Sequence, residues 1–167
     1  MADWESIVRT HGPMAFDTAW RLLGHAGDAE DAVQEALVDA FQILHRRRVE
    51  NWGGLLRHLA ARRAIDCLRT RRATRPLEHE PQAPASDRPD AAAIERELAD
   101  RLRLAVADLP DREGTAFSLR FFGEMTNPEI AALLEVSTDA VAMAVCKARA
   151  KLKKRWPCRA RSRGATQ

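Results

Sequence analysis

The stretch from Asn127 to Arg155 decides the fold of this chain: NPEIAALL over 127–134, the turn EVS over 135–137, and TDAVAMAVCKARAKLKKR over 138–155. Its apolar residues recur at the spacing of two amphipathic helices, and only three residues separate the two segments. The last third of the second segment carries only positive charge. Two short helices joined by a tight turn, with a basic second helix, are typical of a helix-turn-helix that contacts DNA.

Capping residues agree with this interpretation. Asn127 is expected to cap the first helix, with Pro128 in the first turn, where its missing N–H costs nothing. Ser137 or Thr138 is expected to cap the second helix. The apolar stripe of that helix would comprise Ala140, Val141, Val145, Ala148 and Leu152. If Glu135 in the turn requires a positive φ, its side chain lowers the stability of the turn by on the order of 1 kcal/mol relative to glycine.

Composition favours an all-α protein, because apolar residues make up 46% of the 167 residues while aromatic residues make up 5%. The net charge is only +3, so its distribution matters more than its total. From Ala140 onward there is no acidic residue, whereas five acidic residues and no base lie between Asp28 and Asp39.

Several classes of protein are disfavoured. Cys67, Cys146 and Cys158 show no CxxC spacing, and the chain has no secretory signal, so we expect a reduced, cytoplasmic protein without a disulfide or zinc framework. No apolar run approaches the ~20 residues that cross a bilayer, so no membrane insertion is expected. We find no paired metal ligands, nucleophile elbow or Gly-rich phosphate loop, and we therefore expect no metal, no cofactor and no enzymatic activity.

A proline-rich segment divides the chain. Residues 73–92 hold four of the eight prolines and almost no large apolar side chain, which is typical of a flexible linker. We expect one compact helical bundle over residues 1–72, a second over 93–156, and a basic, disordered tail over 157–167. The sequence does not indicate whether the two bundles contact each other.

Five further helices are expected outside the helix-turn-helix. The first covers about 13–23, the second begins at a cap formed by Asp28, and the third covers about 55–72. The remaining two cover about 92–108 and 111–122.

Two charged surfaces follow from these helices. Asp28, Asp31, Glu35 and Asp39 align on the second helix, as either a solvated face or a docking surface. Residues 57–75, which cover most of the third helix and the residues after it, contain seven arginines and one aspartate. This is more than solubility needs and suits phosphate binding. Trp52, before that helix, is either a core anchor or a platform for an unstacked base.

Four motifs, in order, resemble the extracytoplasmic-function (group 4) sigma factors of bacterial RNA polymerase. Asp28-Ala-Glu-Asp-Ala-Val-Gln34 is similar to region 2.2 of that family, and Arg63-Ala-Ile-Asp66-Cys-Leu-Arg69 is similar to region 2.4. Leu109-Pro110, Leu119-Arg-Phe-Phe122 and Glu129-Ile-Ala131 with Ser137 resemble region 4. The resemblance covers nearly the whole chain.

The resemblance implies a sigma factor that directs promoter recognition and transcription initiation, with core RNA polymerase, promoter DNA and an anti-sigma factor as partners. Core polymerase would bind the acidic surface, comprising Asp28, Glu30, Asp31, Gln34, Glu35 and Asp39. The minus 10 element would bind Arg46, Arg47, Arg48, Asn51, Trp52, Arg57, Arg62, Arg63, Arg69, Arg71 and Arg72. The minus 35 element would bind Ser137, Thr138, Asp139, Ala142, Met143, Lys147, Arg149 and Lys151.

The chain departs from the family at one position and in one short segment, both of which contact bases in that family. Arg62 stands where the family uses an asparagine that helps to capture a flipped base. Residues 140–144 read Ala-Val-Ala-Met-Ala, where the family usually has Thr-Val-Lys-x-Arg. Small apolar side chains cannot form bidentate base contacts, each worth ~1–3 kcal/mol of discrimination. We therefore expect DNA binding mainly through phosphates and DNA shape.

The same departure supports an alternative from another class. A sigma-like interaction protein could bind an anti-sigma factor or polymerase with weak or no reading of DNA sequence. Such mimics usually accompany a receiver domain, which this chain lacks.

Overall fold

The computed structural model describes residues 3–74 and 91–155, and the regular structure in those ranges is entirely α-helical. This confirms the all-α expectation. The helices are α1 (Trp4–Leu23), α2 (Ala26–Leu44), α3 (Trp52–Thr74), α4 (Ala91–Ala107), α5 (Asp111–Phe121), α6 (Asn127–Leu134) and α7 (Thr138–Arg155). Residues 75–90 of the expected linker and the expected tail over 157–167 lie outside the described residues.

The first three helices form a bundle around small side chains. Ala15 and Ala19 of α1, Ala36 of α2 and Ala60 of α3 are fully buried. Because these side chains are short, the helices approach closely, and buried leucines such as Leu56 fill the remaining space.

Helix α1 begins at Trp4, so the expected start near residue 13 was wrong. Asp3 caps the helix, because its carboxylate accepts a hydrogen bond from the backbone N–H of Glu5 at 3.3 Å. Pro13 lies inside the helix, where a proline costs ~3 kcal/mol. Burial of Ile7 on the earlier turns helps to offset that cost. The helix ends at Leu23 and is followed by the cap Gly24, whose φ of 68° lies in the left-handed region.

The capping residues of α2 and α3 also differ from expectation. His25 caps α2 by accepting a hydrogen bond at Nδ1 from the N–H of Asp28 at 3.4 Å, so Asp28 lies in the first turn and is not the cap. Asn51 Oδ1 accepts from the N–H of Gly54 at 2.8 Å and caps α3. Trp52 is therefore the first residue of α3 and does not lie in the preceding loop.

The helix-turn-helix forms as expected, with one change of cap. Thr126, and not Asn127, caps α6 through a capping box with Glu129. Ser137 caps α7, because its Oγ accepts from the N–H of Ala140 at 3.1 Å. The predicted apolar stripe of α7 holds for Val141, Ala148 and Leu152, which are buried, but Ala140 is exposed.

The turn between α6 and α7 requires the strained conformation that the sequence suggested. Glu135 has φ 54° and ψ 43°, in the left-handed region. A side chain in this conformation costs on the order of 1 kcal/mol relative to glycine.

The two halves of the chain pack against each other, which answers the question that the sequence left open. Helix α3 contacts α4, α5 and α6, and the buried apolar residues of α1 to α3 and α4 to α7 form one continuous cluster. The polar part of this interface is formed largely by arginines.

Candidate polymerase and nucleic-acid interfaces

The predicted acidic surface lies along α2 and is partly open to a partner. Glu30, Asp31, Gln34 and Glu35 are exposed, whereas Asp28 and Asp39 are half-buried. Within the described parts of the chain, Glu30 and Asp31 form no ion pair. Their charges are therefore available to a basic partner.

Arginines of α3 neutralise the other acidic residues. Arg63 Nη2 lies 2.6 Å from Asp39 Oδ2, and Arg63 Nη1 lies 3.2 Å from Glu35 Oε2. Arg71 pairs with Asp28. The hydrogen bond to Asp39 raises the pKa of the Arg63 guanidinium above its ordinary value. The predicted minus 10 residues Arg63 and Arg71 thus face α2 and help to hold the bundle together.

An aromatic cluster lies where α2 ends and α3 begins. The ring of Trp4 is 5.2 Å from that of Phe41 and 6.2 Å from that of Trp52, both in edge-to-face geometry. Phe41 also packs against His45, with ring centroids 4.6 Å apart. Trp52 is half-buried against the core, so in this structure it anchors the bundle. Of the neighbouring predicted residues, Arg46, Arg47 and Arg48 are exposed in the loop, while the amide of Asn51 is engaged as the cap of α3.

A second group of predicted minus 10 residues faces the C-terminal half. Arg57 Nη1 donates to the carbonyl oxygen of Gly123 at 2.8 Å. Arg69 donates to the carbonyl oxygens of Ala107 and Leu109, at 2.9 and 3.1 Å. These bonds use charged donors on backbone acceptors, which makes them stronger than neutral hydrogen bonds.

Acidic side chains add to the same interface. Arg69 Nη1 lies 2.8 Å from Asp111 Oδ1, and Arg72 pairs with Asp108. Arg47 Nη1, in the α2–α3 loop, lies 3.6 Å from Glu135 Oε1. The eleven predicted residues therefore do not form one open surface, because they divide among the core of the bundle, α2, the solvent and the C-terminal half.

A cavity of about 430 Å³ lies between α3, α5 and α7, with His58, Arg62 and Ala144 among its lining residues. The Nδ1 atom of His58 is buried and has no hydrogen-bond partner in the described parts of the chain. Burial and, secondarily, the charge of Arg62 lower the pKa of His58 from its ordinary 6.5. Arg62 itself is exposed.

The predicted minus 35 residues lie together on the open side of α7. All eight of them are exposed: Ser137, Thr138, Asp139, Ala142, Met143, Lys147, Arg149 and Lys151. Met143 is 57% exposed, which is unusual for a large apolar side chain and leaves it free to touch a partner. Lys151 pairs with Glu113 at 2.8 Å, and the hydroxyl of Ser137 is engaged as a cap. This face can contact phosphates, but its centre lacks donors for base edges.

Sequence reasoning missed three residues at the interface between the halves. Arg21 Nη1 lies 2.5 Å from Glu124 Oε1, and Arg103 Nε donates to the carbonyl oxygen of Arg21 at 3.0 Å. Glu124 has a left-handed φ of 53°. Glycine is the residue that usually adopts this conformation, but here it lies one position earlier, at Gly123. Arginines that bind backbone carbonyls show no periodic pattern in a sequence. These contacts could therefore not be predicted from the sequence.

No helix within residues 3–74 and 91–155 has the length and apolar character needed to span a membrane.

The chain matches two family models that describe regions of one family. Residues 7–74 match the model described as Sigma-70 region 2, and residues 99–152 match the one described as Sigma-70, region 4. The first match covers nearly all of α1 to α3, and the second covers most of α4 to α7. The chain therefore belongs to the sigma-70 family, among its extracytoplasmic-function members.

Curated relatives agree with this assignment. The chain is 27% identical over 158 residues to the ECF RNA polymerase sigma factor SigE of Mycolicibacterium smegmatis, covering 92% of this chain and 61% of SigE. It is 26% identical over 165 residues to the ECF RNA polymerase sigma factor SigW of Bacillus subtilis, covering 89% of this chain and 86% of SigW. The chain thus spans less than two thirds of the length of SigE.

A solved structure has the same fold. The structure of CnrH in complex with the cytosolic domain of CnrY aligns with a TM-score of 0.59 and 22% identity, over 90% of this chain and 85% of that one.

Proposed function

We propose that this chain is a sigma factor, which directs core RNA polymerase to promoters and initiates transcription without catalytic activity of its own. The observation that carries the proposal is the presence of both sigma-70 regions on one chain, in order, with an exposed basic helix in the second. A DNA-binding regulator that acted without polymerase would need only the helix-turn-helix. Such a regulator would leave the region 2 match over residues 7–74 without a function.

Core polymerase is proposed to dock on the acidic surface of α2. Glu30 and Asp31 support this proposal, because they are exposed and form no ion pair with the described residues. Carboxylates that face solvent can form charge-assisted hydrogen bonds with arginines and lysines of a partner, and Gln34 can add amide hydrogen bonds.

Promoter DNA is proposed to bind at two places. The exposed loop arginines Arg46, Arg47 and Arg48, with Arg62 on α3, supply positive charge for the minus 10 region. Lys147 and Arg149 on α7 supply it for the minus 35 region, where Ala142 and Met143 can touch only apolar base groups such as thymine methyls.

Two further proposals concern the setting of the protein. An anti-sigma factor is a proposed partner, and the related fold of CnrH, solved with the cytosolic domain of CnrY, supports it. We also propose that the protein acts in the cytoplasm, because its proposed partners, polymerase and DNA, are there.

Transcription in a purified system tests the proposed function. Core polymerase, this protein and a library of DNA templates with randomised promoter regions should yield transcripts that start at defined positions and require the protein. A matched reaction with the Asp31→Lys, Glu35→Lys variant should yield far fewer. Binding to core polymerase without transcription from any template would instead favour the sigma-like interaction protein.

A further inference from the structure

The cavity of about 430 Å³ between α3, α5 and α7 has an apolar floor. Ile65 of α3, Ala116 of α5 and Val141 of α7 line it and are buried, and Leu134 of α6 lines it and is half-buried. Its volume lies within the range of about 300–1,000 Å³ that is usual for small-molecule sites. The floor therefore offers an apolar ligand a surface to which four helices contribute.

Charged side chains form the rim of the same cavity. Arg62, Asp66, Asp111 and Arg112 line it and are exposed. The half-buried Arg69 contacts both carboxylates, because its Nη1 lies 2.8 Å from Asp111 Oδ1 and 3.9 Å from Asp66 Oδ1. Each acidic side chain of the rim thus already has a cationic partner within the protein.

The other two arginines of the rim have no such partner. Neither Arg62 nor Arg112 forms an ion pair or a side-chain hydrogen bond within residues 3–74 and 91–155. The described residues that line the cavity include three arginines and two aspartates, which leaves one positive charge in excess. A guanidinium group has five N–H donors and can bind a carboxylate through two of them. The rim therefore favours a ligand with a single negative charge.

His58 adds an uncharged wall to the cavity. Burial and, secondarily, the charge of Arg62 hold the pKa of this histidine below its ordinary 6.5, so the ring is neutral at neutral pH. The effect of Arg62 on this pKa places its charge close to the ring. A ligand beside a neutral, largely buried imidazole should be apolar there, with its negative end at the rim.

We propose that this cavity binds a small carboxylate with an apolar body, such as an aromatic acid. The carboxylate contacts Arg62 and Arg112 at the rim, and the apolar body lies on the floor. Val136, in the turn between α6 and α7, also lines the cavity and is 39% exposed. A bound ligand would cover part of this side chain, which adds apolar burial to the binding free energy.

The site is separate from two of the three surfaces of the proposed function. None of its described lining residues belongs to the predicted polymerase-docking or minus 35 set, whereas Arg62 and Arg69 belong to the predicted minus 10 set. Binding of a carboxylate depends only on the cavity and its charges, so it can be tested without polymerase or DNA.

Isothermal titration calorimetry of the full chain with 2-naphthoate tests the proposal. The alcohol 2-naphthalenemethanol has the same rings without the charge, and acetate has the charge without the rings. Naphthoate should bind at least about tenfold more tightly than either, because only naphthoate uses both the rim and the floor. It should also raise the melting temperature, since a ligand that binds the folded chain stabilises it.

Two variants, each with a matched control on the same helix, locate the site. Arg112→Gln should weaken naphthoate binding by about five- to tenfold, whereas Arg120→Gln, which is exposed on α5 outside the cavity, should not. Ala144→Leu fills part of the cavity and should abolish measurable binding. Its control is Ala150→Leu, which is exposed on α7 and does not line the cavity.

Equal affinity of each variant and its control for naphthoate would overturn the proposal. Equal affinity of the wild type for naphthoate and its alcohol would do so as well, because the rim would then have no role. Displacement of naphthoate by an equal concentration of acetate or inorganic phosphate would also overturn it, since the floor would then not select the ligand. Weakened binding by Arg112→Gln with an unchanged melting temperature of the free protein supports it even if Ala144→Leu fails to fold.

Discussion

Arg63 of α3 donates two hydrogen bonds, from Nε at 3.0 Å and from Nη2 at 2.6 Å, to the same carboxylate oxygen of Asp39 on α2. The pair joins the predicted polymerase-docking helix to the predicted DNA-binding helix. Both side chains are about one third exposed, which places the pair between a surface ion pair and a buried one.

A double-mutant cycle with Asp39→Ala and Arg63→Ala should measure this pair. We expect a coupling free energy of about 0.5–1 kcal/mol in urea denaturation, because the geometry is good but solvent screens the charges. The coupling should shrink when the cycle is repeated in about 1 M salt. A coupling near zero at low salt would mean that the two residues merely lie close together.

Charge reversal on the exposed side of α2 should weaken the complex with core polymerase. The variant Asp31→Lys, Glu35→Lys should co-purify with core enzyme at least about tenfold less efficiently, since attraction becomes repulsion at two positions. Circular dichroism should show an unchanged helix content. The same reversal at Glu95 and Glu97 on α4 is the control and should leave co-purification intact. Equal recovery of both variants would argue that polymerase docks elsewhere.

The substitution Glu135→Gly should stabilise the helix-turn-helix. Relief of the left-handed conformation should raise the free energy of unfolding by about 0.5–1 kcal/mol, which exceeds the contribution expected from the exposed pair with Arg47. The control Ala132→Gly introduces the same residue one turn earlier, inside α6, and should lower the free energy by about 1 kcal/mol. Thermal denaturation measures both, and a destabilised Glu135→Gly variant would show that the ion pair outweighs the strain.

Adding charge at the centre of α7 should strengthen DNA binding and its dependence on salt. Ala142 is exposed on α7 before the basic residues Lys147 and Arg149, so Ala142→Lys should raise affinity and steepen the slope of log K against log salt by about 0.9, as one further phosphate contact predicts. Ala93→Lys on α4 adds the same charge on a different helix and should alter the slope less. A slope that does not differ from the control would indicate that this face does not meet DNA.

Stability should fall in mild acid because of His58. Burial holds the pKa of this histidine below its ordinary 6.5, so the unfolded chain takes up the proton more readily than the folded chain. The stabilisation is complete above about pH 6.5 and decreases as the pH falls through that value toward the lower folded pKa. The charged groups that line the same cavity are Arg62, Asp66 and Arg69 of α3 with Asp111 and Arg112 of α5.

The variant His58→Gln should lose that part of the pH dependence. Urea denaturation at several pH values measures it, and His11, His25 and His45 remain in both proteins as an internal control. Identical pH profiles for variant and wild type would assign the acid sensitivity to other groups.

The helices that sequence periodicity located best are those whose buried residues recur over several turns. The predicted bounds of α4 and α5 were close, because Leu109-Pro110 interrupts the pattern there. The start of α1 was missed because Pro13 resembles a start signal, although packing of the preceding turns tolerates it inside the helix. Thr126 and Asn127 are both capping residues, and the capping-box spacing of Thr126 and Glu129, which selects the first, is present in the sequence but was overlooked.

The candidate surfaces were predictable to different degrees. The exposed face of α7 could be predicted from helical spacing alone, because the apolar residues that form its buried side recur every three to four residues. The division of the α3 arginines could not be read from the sequence. Arg63 meets a carboxylate of a neighbouring helix and Arg69 meets backbone carbonyls 38 and 40 residues away, and such partners depend on the tertiary fold.

The contact of Trp4 with Phe41 and Trp52 gives the N-terminal bundle an optical signal of its own. The described tryptophans, Trp4, Trp20 and Trp52, all lie in α1 and α3, so a Trp156→Phe variant would confine intrinsic fluorescence to that bundle. Far-ultraviolet circular dichroism, in contrast, follows every helix. When the two signals are recorded during one urea titration, coincident curves identify a single cooperative unit, whereas separated curves identify two units that unfold in sequence.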